Sequence, residues 1–161
     1  MVMVVYPGTF DPVTYGHIDI IKRASSIFRK VFVAVAHNPQ KKPLFSVEER
    51  IEMLQESTND ISGIVIESFN CLLTDYVQQK GVSIIIKGLR AISDFEVELQ
   101  MALTNRQIAP HLETIFMMTS ERYSYLSSHI IKELAELGGK IDRFVPPIVR
   151  GKLQEKLKGP R

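Results

Sequence analysis

The chain of 161 residues has one cysteine, Cys71, so an internal disulfide is excluded, and no Cys/His cluster near it has zinc-ligand spacing. Cys71 is therefore expected as a small apolar filler on a helix. No apolar run approaches the roughly 18 residues that span a bilayer, and no charged n-region leads into a long apolar segment. A cytoplasmic protein without a membrane partner is expected. Charge of one sign is also scarce: 20 Lys and Arg against 18 Asp and Glu leave a net charge of +2, far from the basic stripe of nucleic-acid binders. Nucleic acid is not an expected partner, and the cations should matter locally, at a ligand. Repeats, low-complexity tracts and linkers are missing too, which leaves one domain, 1–161, long enough to bury roughly 70% of its unfolded surface.

What is present is alternation. Apolar, β-branched runs recur at Val2–Val5, Val31–Val35, Ile64–Ile66, Val82–Ile86 and Thr114–Phe116, with helical periodicity between them. The runs are almost continuously apolar, as expected for parallel strands covered on both faces. The first helix is expected over about Gly16–Phe28, with Ile20, Ile21, Ala24, Ile27 and Phe28 inward. Ser46 and Glu49 form a capping-box pattern for the second, and Val47, Ile51 and Leu54 its stripe. A third spans about Asn70–Lys80 and stops at Gly81. The fourth opens with a capping box at Ser93 and Glu96, carries Phe95, Leu99 and Leu103 inward, and ends at Pro110. A fifth starts near Ser127, carries Ile130, Ile131, Leu134 and Leu137, and ends at Gly138-Gly139. A last helix follows Pro146-Pro147 and docks through Ile148, Val149, Leu153 and Leu157. The expectation is an α/β, single-domain, Rossmann-like fold with a five-stranded parallel sheet flanked by helices and a C-terminal helix docked on the domain.

The chemistry gathers where strands end. After the first strand, Gly8-Thr9 offers a tight turn, a backbone N–H and a hydroxyl suited to phosphate. The pattern is neither G-x-G-x-x-G nor G-x-x-x-x-G-K-[ST], so it supports neither hydride transfer nor γ-phosphate hydrolysis. His17 falls in the first turn of the next helix, where the macrodipole disfavours an imidazolium and favours a bound anion. Lys41 and Lys42 follow the second strand, and Lys87-Gly88-Leu89-Arg90 follows the fourth, at the edge where open α/β sheets bind ligands. Glu98 in the long helix reads as an exposed charge, a partner for Arg106, or a ligand contact. Tyr123-Ser124-Tyr125-Leu126-Ser127-Ser128 brings hydroxyls and unpaired N–H groups to a helix start, although a serine there can simply be the cap. Leu73 belongs to an apolar stripe with Leu72, Tyr76 and Val77.

The turn Gly8-Thr9-Phe10-Asp11-Pro12 followed by Thr14-x-Gly16-His17 resembles the signature of the nucleotidylyltransferase superfamily (T-x-G-H). Within it the chain is similar to the phosphopantetheine adenylyltransferase family, through Asn38-Pro39-Gln40-Lys41-Lys42-Pro43, Lys87 to Arg90, Asp94 to Glu98 and Tyr123 to Ser128, in the family's order over about residues 3–145. T-x-G-H alone would indicate only the superfamily.

The resemblance implies transfer of AMP from ATP to 4'-phosphopantetheine, giving dephospho-coenzyme A and pyrophosphate without a covalent enzyme intermediate. A phosphate monoester is mostly dianionic at neutral pH and needs no general base, only alignment and neutralisation. The implied catalytic residue is His17, on the transferring phosphate. The implied ATP contacts are Thr9, Phe10, His17, Gly88, Leu89, Arg90, Glu98, Tyr123, Ser124, Tyr125, Leu126, Ser127, Ser128 and His129. Thr9, Lys41, Leu73 and Lys87 are the implied acceptor contacts, with Lys42 as an alternative to Lys41. The chain departs from its relatives at Lys87, where many carry arginine, and at His129, where a serine or threonine is usual and only the backbone N–H is left to serve. Magnesium is expected with the ATP phosphates rather than in a carboxylate cage, and a homohexamer is implied. Rival readings are a nucleotidylyltransferase acting on nicotinate mononucleotide or transferring CMP, and a nucleotide-binding sensor without chemistry.

Overall fold

The computed structural model describes residues 2–37, 42–90 and 92–157. Five strands, β1 (Met3–Gly8), β2 (Lys30–Ala36), β3 (Ile64–Phe69), β4 (Ile84–Leu89) and β5 (Glu113–Met118), form one parallel sheet in the order β3-β2-β1-β4-β5. Between and after them run α1 (Tyr15–Ile27), α2 (Val47–Ser57), α3 (Leu73–Gln79), α4 (Ile92–Ile108), α5 (Ser128–Glu136) and α6 (Pro147–Leu157). The chain winds outward from β1 to β3, then returns to the other side of β1 for β4 and β5. The carboxyl ends of β1 and β4 therefore flank the point where the winding reverses, the place where such sheets hold ligands. There the β1–β4 ladder is limited to Val5 opposite Ile85, while β1–β2, β2–β3 and β4–β5 each pair over six residues.

Side chains alternate across each strand, and both faces are covered. Val4, Tyr6, Val31, Val33, Val35 and Ile86 pack with Ile20, Ile21 and Ala24 of α1, Met53 and Leu54 of α2, Ile131 of α5, and Val149 and Leu153 of α6. Val5, Phe32, Ala34 and Ile85 face the other way, onto Tyr76 and Val77 of α3 and onto Ala109 and Leu112. Each fully buried aliphatic side chain stabilises this arrangement by roughly 1.5–3 kcal/mol. The Ser46–Glu49 capping box forms in full at α2, and α6 starts with Pro147, a residue preorganised for a first helical turn. The basic side of α6 is ion-paired: Lys152 meets Glu52 at 2.7 Å, Lys156 meets Glu49 at 2.5 Å, and Arg150 pairs with Asp142.

Several expectations fail at the level of single residues. Cys71 is exposed and precedes α3 rather than lying on it, because Leu72 is still extended and the helix begins only at Leu73. Ile27 and Leu137, at helix ends, and Ile130 are exposed, so their spacing carried them past the covered faces. α4 begins at Ile92, one residue ahead of the expected Ser93 cap. The largest departure lies on the same helix: Phe95, Leu99 and Leu103 are exposed, together with Val97, Met101 and Ile108. α4 intersperses its apolar residues with polar ones rather than gathering them in one stripe, so the sheet covers only some of them.

Candidate active site

A cavity of about 530 Å³ opens at the carboxyl ends of β1 and β4. Thr9, Phe10, His17, Lys87, Gly88, Arg90 and Glu98 of the expected residues line it, with Ser127, Ser128 and His129 from the start of α5. A neighbouring cavity of about 480 Å³ shares Pro43 with it and runs along the ends of β2 and β3 past His37, Ser68 and Asn70.

The geometry begins with the turn after β1. A Cβ added to Gly8 would lie 2.9 Å from the Phe10 ring, so glycine is required here by ring packing; the left-handed backbone belongs to Phe10, at φ 50°. Phe10 is buried and meets Tyr6 and His17 edge-on, with centroids 5.5 and 5.1 Å apart. Asp11, also buried, accepts hydrogen bonds from the backbone N–H groups of Leu44 and Phe45, both at 2.9 Å, and from Lys132 Nζ at 2.8 Å. One carboxylate thereby ties the turn to the segment entering α2 and to α5.

His17 occupies the third position of α1, where a capping box usually has a glutamate. The Thr14 backbone N–H donates to Nδ1 at 3.0 Å, and Thr14 Oγ1 receives the His17 N–H at 3.5 Å. Because Nδ1 accepts, the neutral ring carries its proton on Nε2, which is the donor left for a ligand. Burial lowers the imidazole pKa to about 3, with a smaller contribution from the Arg90 guanidinium, so the donor is neutral across the physiological range.

On the β4 side, Lys87 Nζ lies 3.1 Å from Glu98 Oε2. Arg106 pairs with Glu113 instead, which removes it as the partner of Glu98. Arg90 Nη1 donates to the Leu126 carbonyl at 3.0 Å. Ser127 caps α5 by accepting the Ile130 N–H at 3.1 Å, while the Ser128 hydroxyl donates to the Pro12 carbonyl at 2.8 Å. The two serines thus differ: one is a cap, the other a strut to the β1 turn.

Other expected residues stand apart from the lining. Leu89 closes β4, and its carbonyl accepts from the Thr119 N–H and hydroxyl. Leu126 is buried, Tyr123 leans on Tyr15 at 6.1 Å, the Ser124 hydroxyl donates to the Glu121 carbonyl, and Tyr125 is exposed against Phe144. Leu73 packs half-buried on the α3 side of the core. Lys41 lies outside the described residues, and Lys42 is exposed.

The lining also holds Thr14, the first residue of the T-x-G-H signature, and Tyr6, Thr119 and Lys132, which the sequence reading missed. Burial pushes the Tyr6 phenol well above its usual range, so it stays a protonated donor. Thr119 is the first residue after β5 and was available to the strand-end rule that picked out Lys87. Lys132 stands four residues after Ser128, one helical turn along α5.

A cytidylyltransferase-like family model matches residues 5–134. Curated relatives named phosphopantetheine adenylyltransferase include one from Caldanaerobacter subterraneus subsp. tengcongensis, 55% identical over 98% of this chain and 99% of the relative. Another, from Natranaerobius thermophilus, is 54% identical over 97% of this chain and 96% of its own. A third, from Heliobacterium modesticaldum, is 49% identical over 97% and 93%. Among solved structures, a Vibrio parahaemolyticus protein provisionally named a nicotinate-nucleotide adenylyltransferase superposes with a TM-score of 0.71 over 98% of this chain and 95% of its own. At 15% identity, that likeness concerns the fold.

Proposed function

Because the chain belongs to the phosphopantetheine adenylyltransferase family, within the cytidylyltransferase-like group, we propose that it transfers AMP from ATP to 4'-phosphopantetheine, a step of coenzyme A biosynthesis. The observation that carries this reading is His17 at the start of α1, its Nδ1 taken by the Thr14 N–H and its ring lining the same cavity as Lys87, Arg90 and Lys132. Two anionic groups must meet in line at the α-phosphorus, and a donor-rich, cation-lined crevice serves that encounter.

In this reading an oxygen of the acceptor phosphate forms a bond to the α-phosphorus as the bond to the β-phosphate oxygen breaks, and pyrophosphate leaves with the electron pair. Nothing on the enzyme is modified. His17 donates to the non-bridging oxygen that gains charge, beside the N–H groups at Thr9 and Phe10. Lys87 moves its ammonium from Glu98 to the acceptor phosphate, and Lys41, which the family resemblance makes an acceptor contact, is its partner in that task. Gly88, Arg90 and Glu98 border the nucleotide, and the start of α5 at Ser127, Ser128 and His129 brings N–H groups to it, while Leu89 and residues 123–126 support that wall from outside the lining. Leu73 offers apolar packing to the pantetheine arm.

Among the described residues no three His, Cys, Asp or Glu side chains cluster as metal ligands. Asp11, the most buried carboxylate of the lining, is already held by Lys132 and two N–H groups. Such a donor set suits magnesium that arrives on the triphosphate and keeps most of its waters, neutralising the departing pyrophosphate. We further propose a cytoplasmic homohexamer. The apolar side chains that α4 leaves exposed favour self-association, and no described helix is long and apolar enough to cross a membrane.

The test is incubation with ATP, magnesium and 4'-phosphopantetheine, with pyrophosphate as the readout. Release is expected; release only with nicotinate mononucleotide would overturn the reading.

A further inference from the structure

We infer that Arg50 is a positioning residue that aligns the two reacting phosphates, an inference resting on the adenylyl-transfer reading above. Arg50 lies on α2, is 1% exposed, and was not singled out by any motif. Its Nη1 donates to the Thr9 carbonyl at 2.8 Å and to the Ala36 carbonyl at 3.0 Å, and its Nε donates to the Ser46 carbonyl at 3.2 Å. These acceptors belong to the turn after β1, the last residue of β2, and the cap of α2.

The Arg50 guanidinium borders the neighbouring cavity at the ends of β2 and β3, has backbone carbonyls as its hydrogen-bond partners, and feels the charges of Asp11 and Glu48 without a close ion pair to either. Withdrawing its charge from water costs several kcal/mol, and its donors offset this only through the Thr9, Ala36 and Ser46 carbonyls that they hold. The return lies in what the carbonyls control. In a trans peptide the C=O and N–H point to opposite sides, so holding the Thr9 oxygen also sets the direction of the Phe10 N–H, one of the proposed phosphate donors. Phe10 is held in the left-handed region at φ 50°, uncommon for a bulky residue, which persists only when its surroundings enforce it. The same Nη1 atom grips Ala36, five residues before Lys41 in the chain. One nitrogen therefore couples the ATP turn to the strand that precedes the acceptor lysine.

The test compares wild type, Arg50→Lys and Arg50→Gln, measuring kcat and both KM values per folded molecule, with the folded fraction taken from near-UV circular dichroism. A displacement of about 1 Å between reacting groups costs on the order of a hundredfold. On that scale Arg50→Gln should lose about 100-fold in kcat and Arg50→Lys about tenfold, with the KM for ATP within about threefold. A purely architectural arginine would lower the melting temperature and the folded fraction while leaving kcat per folded molecule within about threefold of wild type. That result, or the failure of both variants to fold, overturns the positioning role. A wild type silent with both substrates would overturn the functional reading and this inference with it. An active wild type beside an equally active Arg50→Gln would overturn this inference alone.

Discussion

The two walls of the crevice are built differently. On the β1–β2 side, buried side chains hold backbone: Arg50 on the Thr9 and Ala36 carbonyls, Asp11 on the Leu44 and Phe45 N–H groups, and the Thr14 N–H on the His17 ring. On the β4–β5 side the cations are long side chains with exchangeable partners, Lys87 on Glu98 and Arg90 on the Leu126 carbonyl, flanking a strand that meets β1 at a single residue pair. The contrast separates two tasks of a two-anion reaction. In the proposed reaction the first wall fixes direction, which governs turnover, and the second supplies charge, which governs binding.

The sharpest way to break that comparison is His17→Ala. It should lower kcat about 100- to 1000-fold while ATP binding is roughly preserved, and near-normal turnover would remove the first wall from the chemistry. Next comes Asp11→Ala, which strands two N–H groups and Lys132 and should destabilise the fold by about 2–3 kcal/mol, read from the urea midpoint. An unchanged midpoint would mean that the carboxylate holds nothing in place.

Titration of His17 probes the same wall. Its folded pKa is about 3 against about 6.5 when unfolded, so between these values the unfolded chain binds the extra proton. Stability should therefore be complete above about pH 6.5 and fall as pH drops below it, by up to about 1.4 kcal/mol per unit. His17→Gln should lose that slope, and a variant with the wild-type pH dependence would refute the assignment. The acid limb of kcat should instead follow the acceptor phosphate, near pH 6.

For the second wall, Lys87→Ala should raise the acceptor KM about tenfold with a smaller change in kcat, as expected for losing one charge-assisted hydrogen bond. The smallest effect belongs to Lys87→Arg, which keeps the charge and should move that KM by less than about threefold. A collapse of kcat in either variant would erase the division of labour between the walls.

Legibility followed the range of the interaction. The five strands, the order of helices, the Ser46–Glu49 box and the end of α5 near Gly138 were readable because each rests on neighbours a few residues away. His17, Arg90, Ser127 and Ser128 were readable as strand-end or helix-start residues, and they share one cavity with Lys87, which was expected after the fourth strand but lies within β4 because that strand runs on to Leu89. Arg50, Asp11 and Lys132 were not, because their partners lie 41, 33 and 121 residues away in the chain. α4 misled for a related reason: Phe95, Leu99 and Leu103 repeat at helical spacing, but Val97, Met101 and Ile108 lie off that stripe, and spacing alone does not say which side the sheet will cover.

The sequence by itself determined the alternation of strands and helices, the residue types at the strand ends and, through family likeness, the chemistry, since these depend on local propensity and on motifs contiguous in the chain. Only the tertiary structure decided how those residues act. It turned the proton of His17 onto Nε2 and kept the ring neutral by burial, assigned Glu98 to Lys87 rather than Arg106, and set the turn after β1 on a buried arginine. Tautomer, pKa and peptide direction depend on atoms that meet only when the chain has folded, and no spacing in a linear sequence encodes them.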